Sequence, residues 1–343
     1  MSNQIESSEC IHSRKAKSFK KIILTTLATP LLALASLNAV GSDTYASAPP
    51  QYQVVNTFSA DGNPHFPGIN SKTQRLYVSD VPAGTITMFD ALSATKLIET
   101  ATGVQTHTVL VDDENNLVYA VNRGSDSLVI LNGDTNAVIG EVDVGDGPHG
   151  IDMDTENHRV FTSNTYSNTV TVIDTKTQKV IKTIPVGIEP WGVAYDPETG
   201  WLYVANTGEG SIYRMDIKTG KILKRFDVGG RPWNVKVSSK TGNVYATNET
   251  LGILSVMDKS RIIAEVDIGK VGRGLVLHED VGLAFAVAAG SNQVTSVSLR
   301  TNSVVQNIAV GTGPAAATLD ESADTLYVTN QGGGTISVIK RLH

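Results

Sequence analysis

One short pattern recurs seven times at a nearly constant interval, and no other feature limits the possible folds so sharply. The copies are Leu-Tyr-Val-Ser-Asp (76–80), Val-Tyr-Ala-Val-Asn (118–122), Val-Phe-Thr-Ser-Asn (160–164), Leu-Tyr-Val-Ala-Asn (202–206), Val-Tyr-Ala-Thr-Asn (244–248), Ala-Phe-Ala-Val-Ala (284–288) and Leu-Tyr-Val-Thr-Asn (326–330). Their aromatic residues are Tyr77, Tyr119, Phe161, Tyr203, Tyr245, Phe285 and Tyr327, spaced by 42, 42, 42, 42, 40 and 42 residues. A fixed period of this length marks a repeat architecture in which each unit buries its apolar face only against its neighbours.

Each unit reads as four short strands. In the third copy they are predicted at Gly150–Met153, Arg159–Asn164, Thr169–Ile173 and Val180–Val186. Val, Ile, Thr and Tyr dominate the runs, and Gly, Asp, Asn and Pro separate them. Asp-Thr-Lys-Thr-Gln (174–178) and Asp-Ile-Lys-Thr-Gly (216–220) form turns between the last two strands, and Val-Gly-Asp-Gly-Pro (144–148) leads to the next unit. No helical period of comparable length appears after residue 50. The expected fold is all-β: a seven-bladed β-propeller with four-stranded antiparallel blades. The seventh copy has only three strands, at Ala315–Leu319, Thr325–Asn330 and Thr335–Ile339. The missing outer strand is available at Gln53–Phe58. Pairing of the N- and C-terminal strands would close the ring and remove a free edge.

The first residues follow a different logic. Arg14, Lys15, Lys17, Lys20 and Lys21 precede an apolar run from Ile22 to about Ala39, and small residues follow at Ala46 and Ala48. That order is a secretory signal peptide, and Pro30 inside the run argues against a permanent membrane anchor. The expected organisation is a signal peptide at 1–46 and one propeller domain at 47–343, exported to the periplasm or secreted and expected to be monomeric. Cys10, the only cysteine of the chain, would leave with the signal, so stability must come from the core without disulfides. Composition agrees, with 41% hydrophobic and 18% charged residues. The net charge is −6 and becomes −8 once residues 1–46 are removed, which speaks against nucleic acid as a partner.

The tetrapeptide Tyr-Val-Thr-Asn at 327–330, with its six variants, resembles the YVTN-repeat propeller family, and the exported single domain resembles its YncE-like bacterial periplasmic members. The resemblance covers 51–343. It implies a seven-bladed extracytoplasmic propeller that acts by binding. Members of that kind have been linked to single-stranded DNA, which the repeat itself does not specify. The motif residues build blades, so function has to be sought elsewhere.

The repeat exposes one variable ring. Twelve residues before each aromatic stand His65, His107, His149, Trp191, Trp233, Arg273 and Ala315. This is the start of the innermost strand, at one mouth of the central channel. Duplication can copy a structural histidine with its blade. Three in one register, of seven in the chain, also form a candidate metal site at His65, His107 and His149, because imidazole is a common ligand of Zn and Cu. A Zn or Cu ion is therefore the expected cofactor, and no organic cofactor is expected. Trp191 and Trp233 either plug the mouth or offer a ligand-binding platform, and Arg273 could pair with an anionic ligand or with a structural carboxylate. A second ring, Asp80, Asn122, Asn164, Asn206, Asn248, Ala288 and Asn330, reads as turn-capping structure. Its one carboxylate, Asp80, lies in the blade of His65 and could orient that imidazole as a supporting partner.

No nucleophile elbow, His-Glu-x-x-His motif or phosphate loop is present in the sequence. A periplasmic binding protein holding a transition metal ion, Zn or Cu, with the histidine cluster at the channel mouth is the first expectation, and a small ligand there is the other partner considered. The alternatives are a lyase- or lactonase-type enzyme, and a scaffold for a protein partner or for single-stranded DNA. The last would need Arg123, Arg231, Lys270 and Arg273 to form a local basic patch. N-terminal sequencing of the protein recovered outside the cytoplasm should show a chain shortened by about 46 residues. A product still beginning at Met1 would refute the signal peptide and the export.

Overall fold

The computed structural model describes residues 49–342. The expected signal peptide at 1–46, with Cys10, lies outside the described residues. Within them the chain forms 28 strands in seven four-stranded antiparallel sheets. Blade one comprises Pro64–Asn70, Arg75–Asp80, Thr85–Asp90 and Thr95–Ala101. Blade two begins at Thr106–Asp112, blade three at Pro148–Asp154, blade four at Pro190–Asp196, blade five at Pro232–Val237, blade six at Gly272–His278 and blade seven at Pro314–Asp320. Each innermost strand packs on the innermost strand of the next blade, and the seventh packs on the first. The third copy matches its predicted strands to within two residues at each end, with Arg159–Asn164 found as expected.

The ring closes as the termini suggest. Tyr52–Ser59 pairs antiparallel with Thr335–Arg341 and forms the outer strand of blade seven. A polar lock ties the closing strand to the rest of blade seven and to blade six. The Tyr52 hydroxyl donates to Asp324 at 2.6 Å, and Asp324 also meets His278 Nε2 of blade six at 3.1 Å and Arg341 at 3.6 Å. The Tyr52 ring lies edge-on to Phe285, with centroids 4.9 Å apart.

There is no single core. Seven apolar clusters each fill one interface between neighbouring blades. Phe161, Val170 and Val172 of blade three meet Val193, Leu202 and Val204 of blade four, and Tyr327 and Ile336 of blade seven meet Leu76 and Val78 of blade one. Strand alternation explains this, because a radial sheet presents both of its faces to neighbours. The repeat aromatics are the largest members of these interfaces and are almost fully buried. Three of their hydroxyls reach the next blade: Tyr77 donates to the Gly133 carbonyl at 2.5 Å, and Tyr245 and Tyr327 reach Leu299 and Ala91 at 3.5 Å. Among the described residues the only helical pieces are two 3₁₀ turns, Ala289–Ser291 and Gln331–Gly333, and no helix is long and apolar enough to cross a membrane.

Deleting residues 47–58 should expose the edge of Thr335–Arg341 and lower the melting temperature strongly. Tyr52→Phe, which removes only the hydroxyl bond to Asp324, should cost about 1 kcal/mol. A truncated protein that melts with the full domain would show that closure contributes nothing.

Candidate functional site

The innermost strand of every blade is interrupted at the same point. Its pairing with the second strand shifts register between Pro64 and Pro67, Thr106 and Val109, Pro148 and Ile151, Pro190 and Val193, Pro232 and Val235, Gly272 and Leu275, and Pro314 and Ala316. The variable ring falls inside these bulges: His65, His107, His149, Trp191, Trp233, Arg273 and Ala315. A bulge takes a residue out of the ladder and re-aims its side chain. The sequence therefore places its most variable side chains where the backbone is freest to direct them into the mouth.

The freed backbone groups are recovered by hydroxyls. Ser79 accepts from the Phe66 amide at 3.0 Å in its own blade and donates to the His107 carbonyl of the next at 2.6 Å. Thr329 does the same with the Ala316 amide at 3.3 Å and the His65 carbonyl at 2.5 Å. Ser163 bridges the Gly150 amide to the Trp191 carbonyl, and Thr247 bridges the Asn234 amide to the Arg273 carbonyl. Thr108 supplies the bond to the His149 carbonyl at 2.5 Å. These positioning hydroxyls went unread in the sequence, although the Ser or Thr before the repeat Asn in blades one, three, five and seven was their visible signal.

The ring side chains form one contiguous layer. Centroids of His65 and His107 are 4.2 Å apart, and those of His107 and His149 are 4.0 Å apart. His149 lies flat on Trp191 at 4.7 Å with 7° between planes, and Trp191 meets Trp233 edge-on at 4.2 Å. Arg273 stands 4.9 Å over Trp233, and Arg231 stands 5.1 Å over Trp191. The three imidazoles are only 2–5% exposed. Six of the seven expected site residues, all but Asp80, thus share this layer. The indole faces already touch protein, so the layer plugs the mouth and leaves no free stacking platform. Arg273 and Arg231 both approach Glu249 at 3.6 Å, and Arg231 approaches Glu189 at 3.6 Å. Arg123, the third arginine here, stacks on Tyr166 at 5.0 Å and bonds its hydroxyl at 2.7 Å.

Asp80 is not the partner of His65. Its oxygens accept from the backbone amides of Asn63 at 2.6 Å and Ala83 at 3.0 Å, which fixes the turns beside it, while His65 Nδ1 has no protein partner. The rest of that ring is structural in the same way: Asn206 accepts from the Gly187 amide, and Asn248 accepts from Arg231 and donates to Gly229.

A family model described as YNCE-like β-propeller matches residues 101–339, more than half of the chain. The chain belongs to this family. A search of curated proteins finds no match. Among solved structures, this YNCE-like propeller is similar to Kuenenia stuttgartiensis hydrazine synthase, with 17% sequence identity, a TM-score of 0.74, and coverage of 81% of this chain and 95% of that one. At that identity the likeness concerns the fold alone.

Below the layer, the channel of this YNCE-like propeller widens into a cavity of about 470 Å³. His149 and Trp233 close one end, Val109, Ile151 and Leu275 line the wall, and Glu321 stands at the other end. Burial holds all three imidazoles neutral. It lowers His65 to about 3, assisted by the charges of Arg273 and Arg123, and it lowers His107 and His149 well below the usual histidine value. Among the described residues no three His, Cys, Asp or Glu side chains are arranged to hold a metal ion.

Neutral burial has a pH consequence. Unfolding frees these imidazoles to protonate near 6.5, whereas the folded ones do not protonate until far lower pH. Their stabilisation is complete above about pH 6.5 and is lost as pH falls below it, for His65 down to about 3, at up to about 1.4 kcal/mol per pH unit for each histidine. Denaturant titrations between pH 7 and 4.5 should show this slope, and it should flatten in the His65→Gln, His107→Gln, His149→Gln triple variant. Equal slopes would show that these histidines titrate alike in folded and unfolded chains.

Proposed function

We propose that this YNCE-like propeller is an extracytoplasmic binding protein, with no catalytic role, whose ligand is held at the channel mouth by His65, His107, His149, Trp191, Trp233 and Arg273. One observation carries the reading. Among the described residues seven buried side-chain nitrogens lack a partner, and five of them lie in or beside this layer: His65 Nδ1, Trp191 Nε1, Trp233 Nε1, Arg273 Nε and Arg123 Nε. Buried polar groups without partners are costly, and a ligand that satisfies them recovers that cost. The other two, Arg214 Nε and His278 Nδ1, lie away from the layer, so the unpartnered nitrogens are concentrated at the variable positions. Burial of the imidazoles and the lack of a neighbouring carboxylate on His65 support binding over acid–base catalysis. The basic, apolar and small-residue order at 14–48 supports export.

A Zn or Cu ion is the second reading for the same residues. Neutral imidazoles are the ligating form, and adjacent rings are within 4.2 Å. The rings would have to leave their present stack to converge on an ion, and the guanidiniums of Arg123 and Arg273 oppose a cation there.

Two of the three tryptophans belong to the layer, so Trp201→Phe leaves intrinsic fluorescence as a reporter of the site. Tag-free protein with that change is titrated with Zn(II), Cu(II) and inorganic phosphate, with calorimetry in parallel. The binding reading expects a saturable response to one probe that disappears when His65, His107 and His149 are all alanine. The metal reading expects that probe to be Zn(II) or Cu(II). Identical traces for wild type and triple variant with every probe would remove the mouth as a binding site.

A further inference from the structure

The unpartnered nitrogens share a chemical sense. Indole Nε1 and guanidinium Nε are donors only, and neutral His65 can present its Nδ1 as a donor. What the layer lacks is therefore an acceptor. The charges agree. Arg273 and Arg123 both act on His65 and His107, so two guanidiniums stand near the same imidazoles. Arg123 has no carboxylate partner among the described residues. Glu249 and Glu189 answer Arg231 and Arg273 only at 3.6 Å, beyond hydrogen-bond length.

The layer is also incomplete at one place. Ring contacts run from His65 through His107, His149, Trp191 and Trp233 to Arg273. Blade seven then offers only the methyl of Ala315, and no comparable contact joins Arg273 back to His65 among the described residues. The two residues that border this position each carry an unpartnered nitrogen.

We propose that the Ala315 position of the ring, bordered by Arg273 and His65, the latter also within the field of Arg123, is a site for a small oxyanion, a carboxylate or a phosphate group. The inference rests on the binding reading above and names its ligand class. Guanidinium and N–H donors around one acceptor make charge-assisted hydrogen bonds, which are short and strong in a buried setting. The neutral imidazoles add donors without the cost of burying more charge. The fixed carboxylate Glu249 competes with the ligand for Arg273 and Arg231, which sets the affinity.

This arrangement gives opposite signs for anions and cations. Inorganic phosphate and malonate are titrated separately, at constant ionic strength, into wild type, Arg123→Met, Arg273→Met and Glu249→Gln, all in the Trp201→Phe background, with melting curves to confirm folding. A saturable fluorescence change with at least one anion is expected. Affinity should fall roughly tenfold or more in either arginine variant and rise in Glu249→Gln. Phosphate binding without malonate binding would assign the site to phosphate groups, and the reverse to carboxylates. Anion responses that are equal in all four proteins would overturn the oxyanion site, as would the absence of any response. Zn(II) binding that strengthens in Arg123→Met and vanishes in the triple alanine variant would overturn it while leaving the mouth as a binding site.

Discussion

A hydroxyl that spans two blades is the contact on which the site depends. Ser79, Ser163, Thr247 and Thr329 each take the amide freed by the bulge of their own blade and give their proton to the ring carbonyl of the next. Without that bond the bulge would bury an unpaired amide and an unpaired carbonyl, at a cost of about 1–3 kcal/mol each. With it, the backbone of each mouth residue is tied to the blade before it. The bulge supplies the freedom to aim a side chain, and the hydroxyl removes the freedom to drift. A mouth built in this way can change its side chains from His to Trp to Arg while its backbone stays fixed.

The same motif holds the rest of the ring together. The repeat aromatic fills an interface, and the hydroxyls of Tyr77, Tyr245 and Tyr327 reach an outer turn of the next blade. The following Ser or Thr ties the mouth, and the Asn fixes the loops above it. Three residues within four positions, such as Tyr327, Thr329 and Asn330, thus anchor three levels of the blade interface. Closure by Tyr52–Ser59 extends this to the last interface, where the Tyr52, His278 and Arg341 contacts to Asp324 stand in for the covalent links that the domain lacks.

Physics at the mouth differs from that of the interfaces. The interfaces are filled mainly by apolar side chains. The mouth buries imidazole, indole and guanidinium groups against one another, keeps the imidazoles neutral and leaves donors without acceptors. Such an arrangement costs stability, and it does so at positions outside the seven apolar clusters.

The period of the aromatics, the four strand-length runs per unit and the incomplete seventh copy determined the propeller, its seven blades and its closure, because interface packing repeats with the chain and leaves a periodic trace. The register of His65, His107, His149, Trp191, Trp233 and Arg273 was legible for the same reason, and so was the structural character of the Asn ring. The sequence alone set Asp80 beside His65, and only the tertiary structure gave its oxygens to backbone amides instead. It alone also revealed the bulges, the hydroxyl bridges, the flat stacking of His149 on Trp191, and Arg123 and Arg273 near the same imidazoles. Those features arise where neighbouring blades meet in space, between residues that the repeat keeps tens of positions apart, and a linear pattern carries no record of which side chain turns towards which.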